Sequence, residues 1–241
     1  MRYKVNKLVK TEYGAEEHLH AIRRLMERAT IYRAISAPTA LTGGLLSTVT
    51  AAVMLNWQMR EAGRNVNAVL FLEVWTLVFV LTLAANTLFI WRGAHVRGEP
   101  VVSSAMKLAL RSIMPSLFAG AAIGACLTIT TSLALLPPLF WVIFYGLGLL
   151  STMNFAPRSM VLLGWAFLFT GIFVLIYLMN ASVMPDFDLP SPTRFFPAAL
   201  MGVTFGLYHV VYAACTWPRR NQVLDAIERR PLVATGHPPV L

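Results

Sequence analysis

The chain has 241 residues, 57% of them hydrophobic and only 13% charged, with a formal net charge of +9. Soluble domains carry about a quarter charged residues, so this composition excludes an ordinary soluble globular domain and points to a membrane protein. The positive charge is gathered into a few segments, which makes it a signal of threading through a membrane before it is a signal for nucleic acid.

Residues 1–33 are polar and basic, with no apolar stretch until about Ala34. That argues against a cleaved signal peptide. Within this segment "AEEHLHAIRRLMERAT" (15–30) has helical periodicity. Leu19, Ile22, Met26 and Ala29 share one stripe, and Arg23, Arg24, Glu27 and Arg28 lie away from it. Glu16 and Glu17 come early and the arginines late, as the helix dipole prefers. The segment is expected to form an amphipathic juxtamembrane helix, lying on anionic lipid or docking a partner through the Leu19–Ile22–Met26–Ala29 stripe. His18 and His20 on it are expected to be solvated. Stacking aromatics and a DNA-reading motif are missing, so nucleic acid is not among the expected partners.

A spanning helix needs about 20 mostly apolar residues. Six segments qualify, at 34–55, 68–90, 112–135, 138–154, 159–180 and 196–217. The second carries Glu73 inside "VLFLEVWTLVFVLTL". An ionised carboxylate at mid-membrane costs about 2.5–3.5 kcal/mol. Thr76, Leu77, Val80, Ala84 and Thr87 fall on its side of the helix, a smaller and more polar stripe than the rest, so Glu73 is expected to face the bundle interior. The third and fourth segments are separated by "LLPPLF", where Pro137-Pro138 is expected to make a tight reversal. Cys126 and Cys215 both fall in apolar segments without metal-ligand or CxxC spacing and are read as small core residues. The outer loop 181–195 holds Asp186 and Asp188 in a proline-rich turn. In the sixth segment, His209 shares a face with Gly202, Gly206, Ala213 and Thr216. Gly202 and Gly206 form a small-xxx-small pair that admits a neighbouring helix. His209 is therefore expected inside the bundle, with Tyr145 able to bridge it to Glu73. Both polar residues either bond neighbouring helices as packing groups or form a proton, ion or small-ligand site. The C-terminal stretch 218–241 is a short basic tail, and His95 falls in a loop on the same side.

With both termini cytoplasmic, segments 1–33, 91–111, 154–159 and 218–241 hold 8, 4, 1 and 4 of the 20 basic residues, and the opposite loops hold only Arg60, Arg64 and Arg194. That is a positive-inside pattern. Trp57, Trp91 and Trp217 fall where spans meet the headgroups. The odd spans open with proline then glycine, "APTALTGG" (37–44), "MPSLFAG" (114–120) and "APRSMVLLG" (156–164), which suggests three tandem hairpins. The expected organisation is all-α: a cytoplasmic segment 1–33, a six-helix transmembrane bundle over 34–217, and the tail.

The stretches "HLHAIRRLMERAT", Glu73, "LPPLFWVIFYGLGL" (136–149), "LLGWAFLFTGI" (162–172) and "FGLYHVVYAA" (205–214) resemble a family of bacterial six-span integral membrane proteins with no assigned activity. The resemblance covers most of residues 18–220. It implies a Met-Glu-Arg run before the first span, a Trp…Tyr-Gly pattern in the fourth and a Gly-x-His pattern in the sixth, met here by Met26-Glu27-Arg28, by Trp141 with Tyr145-Gly146, and by His209. Two departures stand out: "APTALTGG" replaces the family's glycine–tryptophan–glycine start of span one, and Tyr208 adds one residue between Gly206 and His209. The resemblance implies the inner membrane of a bacterium.

No nucleophile elbow, P-loop, HExxH or paired-carboxylate arrangement is present, so no catalytic residue, metal site or cofactor is assigned. The expectation is a non-enzymatic sensing, relay or accessory component acting through its N-terminal helix. The bilayer is its first partner, with a cytoplasmic protein or a second copy as the other. The alternative is a small transporter or channel subunit with Glu73 as an intramembrane proton or cation site.

Overall fold

The computed structural model describes residues 37–60, 68–98, 101–102, 104–130, 136–183 and 196–217. The expected N-terminal helix with Leu19, Ile22, Met26 and Ala29, the Asp186–Asp188 turn and the C-terminal tail lie outside the described residues. Six helices account for nearly all that is described: α1 (Ala37–Arg60), α2 (Ala68–Arg97), α3 (Ser104–Thr130), α4 (Leu136–Leu150), α5 (Arg158–Val183) and α6 (Phe196–Trp217). No strand occurs among the described residues. The all-helical outcome comes from the solvent: in hydrocarbon each main-chain polar group must be satisfied within its own segment. Threonine hydroxyls obey the same demand by turning back on their own helix, as Thr48 does to the Gly44 carbonyl and Thr128 to that of Gly124, each at 2.8 Å.

Five of the helices are long and apolar enough to cross a membrane. α4 has 15 residues, about 22 Å, against about 30 Å of hydrocarbon. It is shorter than expected because it ends at Leu150, where a run of turns from Ser151 to Phe155 leads into α5. Pro137 and Pro138 do not form the reversal. They are the first-turn residues of α4, where proline's missing N–H has no helical partner to lose. Pro115 likewise lies inside α3 rather than at its start. The proline-glycine pattern of the odd spans therefore marks three different helical positions.

The facing pairs give the helix directions. Gly43 of α1 meets Thr82 of α2. Gly44 and Gly206 meet across α1 and α6, as do Ala51 and Gly202. Gly120 and Gly124 of α3 meet Phe144 and Trp141 of α4, and Gly146 and Gly171 pair α4 with α5 in the same reversed sense. Each of these pairs is antiparallel, so the start of α1 and the end of α6 lie at one end of the bundle. α6 packs along α1 and against α4. It reaches α5 mainly by side chains, Phe205 and Tyr208 on Phe167. One buried cluster joins α4, α5 and α6 through Leu139, Val142, Met160, Phe167 and Leu200. A second joins α1, α2 and the start of α6 through Ala51, Met54, Phe71, Trp75 and Met201. Phe205 touches both clusters.

Cys126 and Cys215 are exposed on the described bundle, not core. A lipid-facing surface is as apolar as a protein core, so an apolar neighbourhood in the sequence does not tell the two apart.

A tyrosine–histidine contact between two helices

Tyr145 comes from the middle of α4, the helix pressed most closely by its neighbours. Glycine sets those approaches. A Cβ at Gly146 would stand 2.9 Å from both the Gly164 carbonyl and the Leu168 nitrogen of α5, which are main-chain atoms that cannot move aside. On the other side, the Trp141 indole lies directly over Gly124 and stacks on Phe71 of α2, centroids 6.4 Å apart. Tyr145 is thus held on a helix with little freedom to shift.

His209 comes from α6, just after a seven-residue π-segment, Gly202–Tyr208. A π-turn holds an extra residue and rotates the next turns of the helix relative to an unbroken α-helix. The two halves of α6 consequently present different faces. Gly202 and Gly206 lie on α1, with Gly206 placing its would-be Cβ 2.5 Å from the Thr48 hydroxyl. His209 is left free to address α4.

The Tyr145 hydroxyl lies 2.9 Å from His209 Nε2. Around the imidazole stand three aromatic rings. Phe205 is stacked at 6.2 Å and 9°, Phe167 meets it edge-on at 5.6 Å and 74°, and Tyr145 is tilted at 5.6 Å. Nδ1 of His209 is buried and makes no hydrogen bond of good geometry among the described residues, while the main chain of Thr204 and Phe205 runs beside the ring. Either atom of the Tyr145–His209 pair can be the donor, according to which ring nitrogen carries the proton. One residue earlier, the Tyr208 hydroxyl lies 2.8 Å from the Thr170 hydroxyl of α5. α6 is therefore tied by adjacent residues to α4 and to α5.

Of the three residues singled out in the spans, the structure brings Tyr145 and His209 together and leaves Glu73 out. Glu73 is exposed, and so are Thr76, Leu77, Val80, Ala84 and Thr87 on its stripe. The buried face of α2 is the opposite one, Phe71, Trp75 and Val78. The expectation that Glu73 faces the interior is thus overturned, and with it the bridge to His209. In the sequence the small, weakly polar residues of α2 suggest its inward face, whereas the helix packs inward through large aromatic side chains. Other buried polar atoms without a partner among the described residues are Gln58 Oε1, Trp75 Nε1 and Asn86 Oδ1. Sequence reasoning did not single these out. Nor did it find the Thr170–Tyr208 pair, although a tyrosine and a threonine in adjoining spans were the available signal. Among the described residues no three His, Cys, Asp or Glu side chains cluster as a metal site would require.

No family model matches the chain, and neither does any curated protein or solved structure.

Proposed function

We propose that this is a six-span, non-enzymatic component of a bacterial inner membrane, with both termini cytoplasmic, that relays a state of its bundle to a cytoplasmic partner through residues 1–33. The observation that carries the reading is the Tyr145–His209 contact at 2.9 Å, set on a helix whose other face is locked by glycine onto α1. α6 cannot turn at His209 without displacing α1, because Gly44 lies 3.0 Å from the Gly206 carbonyl and the Val210 nitrogen in would-be Cβ terms. α1 continues directly from the segment that carries the Leu19–Ile22–Met26–Ala29 stripe. The end of α6 leaves the bundle on the same side, next to the basic tail. Under the resemblance to the six-span family, the extra residue between Gly206 and His209 falls within the π-segment, the element that aims the imidazole.

The transporter alternative loses its main support. With Glu73 on the outer surface of the described helices, its carboxyl is off any path through the bundle.

A photo-crosslinking side chain placed at Met26, and for comparison at Arg23, tests the relay in cells. Met26 is expected to capture a protein, and Tyr145→Phe, which removes only the hydroxyl, is expected to change that yield severalfold. Capture of lipid alone, equal yields from both faces, or indifference to Tyr145→Phe would remove the basis of the reading.

A further inference from the structure

We propose that the cleft between α5 and α6 at Thr170 and Tyr208 binds a lipid-soluble quinone, with one hydroxyl of the pair donating to a ring carbonyl. The inference rests on the membrane-spanning reading and is independent of the relay.

α5 and α6 both pack on α4 but meet each other mainly through side chains. Phe205 and Tyr208 reach Phe167, at 5.1 and 5.6 Å between ring centroids. The Tyr208 hydroxyl lies 2.8 Å from that of Thr170. Thr170 and Tyr208 are half-buried, and one turn further along each helix Phe173 and Val211 are exposed, at 72% and 50%. The hydroxyl pair therefore sits at the floor of a cleft that opens outward between two spans, with aromatic rings along its inner wall.

The pair is one acceptor short. Each hydroxyl carries one hydrogen and two lone pairs. The bond between them uses one hydrogen, and neither hydroxyl makes another hydrogen bond among the described residues. The second hydrogen is left over. Other threonines of the spans avoid this by donating to the carbonyl four residues back, as Thr42, Thr48, Thr82, Thr128 and Thr216 do. Thr170 lies near the middle of α5, about 18 Å from Arg158, a depth at which a bilayer offers no water. The acceptor must then come from a molecule dissolved in the hydrocarbon. Phospholipid ester carbonyls stay at the interface, about 15 Å from the midplane. A second helix brings no free main-chain carbonyl, because its own ladder uses them. A quinone carries ring carbonyls on an apolar body, and its flat ring suits the aromatic wall. An apolar cleft between bundle helices with a few placed polar groups is the usual form of a small-molecule site.

The test uses the full chain in liposomes, with Cys126→Ser and Cys215→Ser to remove thiols that react with quinones. The probe is an azido-derivatised decyl-benzoquinone, activated by light, with the labelled peptides identified by mass spectrometry. Label is expected on residues 166–174 and 203–211. Unlabelled decyl-benzoquinone should displace it, and decylbenzene, which has the tail and ring but no carbonyl, should not. Tyr208→Phe leaves the Thr170 hydroxyl to donate to its own helix, so the decyl-benzoquinone needed for half-displacement should rise about fivefold, the scale of one hydrogen bond between membrane groups. Thr170→Val frees the Tyr208 O–H and should hold it near the unmodified value. So should Tyr177→Phe, which removes a hydroxyl nearer the end of the same helix. Equal displacement by decylbenzene would overturn the proposal, as would label that is not displaced or that falls on other helices. Indifference to Tyr208→Phe, or an equal loss in Thr170→Val or Tyr177→Phe, would overturn it too. The label position and the decylbenzene comparison need no change at Tyr208 and decide the matter even if Tyr208→Phe does not fold.

Discussion

Tyr145 and His209 show what a polar pair does where water is scarce. The hydroxyl and Nε2 lie 2.9 Å apart in a half-buried setting, with aromatic rings on three sides of the imidazole. Hydrogen bonds between membrane helices are nonetheless worth only about 0.6 to 2 kcal/mol, because the unfolded chain in lipid finds partners too. Tyr145→Phe is therefore expected to leave the protein folded and lower its stability in detergent by about 1 kcal/mol, read as a modest fall in the thermal midpoint. His209→Leu should cost more, since it removes the ring that Phe205 and Phe167 pack against. Equal effects of the two would mean that the ring's packing contributes nothing. This pair was legible in the sequence because a lone histidine beside two glycines on one helix face has few places to go but inward. The outward position of Glu73 was not legible, for a physical reason. In lipid the hydrophobic pattern loses its sign, and the stripe of Thr76, Ala84 and Thr87 resembles a packing face although all three residues are exposed.

At the scale of the helix, glycine and the π-segment do the positioning. Gly146 and Gly148 lie close together on α4 and make a controlled comparison. The would-be Cβ of Gly146 meets main-chain atoms of α5 at 2.9 Å, whereas that of Gly148 meets Ile113 and Ser116 at 3.4 and 3.5 Å, ordinary contact distances. Gly146→Ala should force α4 and α5 apart and cost about 1–3 kcal/mol, the usual range for overpacking. Gly148→Ala should be close to neutral. Thermal unfolding of the two variants side by side checks this, and similar midpoints would mean that the α4–α5 approach is looser than described. The π-segment makes a second prediction. Leu207 is 52% exposed, so its removal takes little packing away. It also takes out the extra residue that the π-segment holds, so the segment can close into an ordinary α-helix in which Gly202 and His209 keep their relative faces. Deleting Leu207 should therefore be tolerated at a cost close to that of Leu207→Ala, read from the two thermal midpoints, and a far larger loss would mean that the π-turn itself is needed for the α1 and α4 contacts. That some helix would approach α6 closely could be anticipated from Gly202 and Gly206. The π-turn could not, because it reflects a compromise between two partners of α6 that only the assembled bundle reveals.

Across the whole molecule, alternate helix directions bring the beginning of α1 and the end of α6 to one end, and the positive-inside count is the ground for proposing that this end is cytoplasmic. A fluorescent reporter fused after Leu241 and active only in the cytoplasm should be bright, and one inserted in loop 181–195 dark. That the described residues form a series of apolar helices, five of them long enough to cross a membrane, was readable from hydropathy. The length of α4 was not, because the turns that lead into α5 begin at Ser151, inside the stretch expected to be helical. The packing order was also hidden, since nothing in the spacing of Gly44, Gly146 or Gly206 says which helix each will meet. The relay requires the Tyr145–His209 contact to be coupled through α6 and α1 to the N-terminal segment. The most direct measurement is the distance distribution between spin labels at Met26 and Arg220 in liposomes, with Cys126 and Cys215 replaced by serine, compared between the otherwise unmodified chain and Tyr145→Phe. A coupled bundle predicts that losing one hydroxyl shifts or broadens the distribution. Superimposable distributions, with the bundle still folded, would contradict the account.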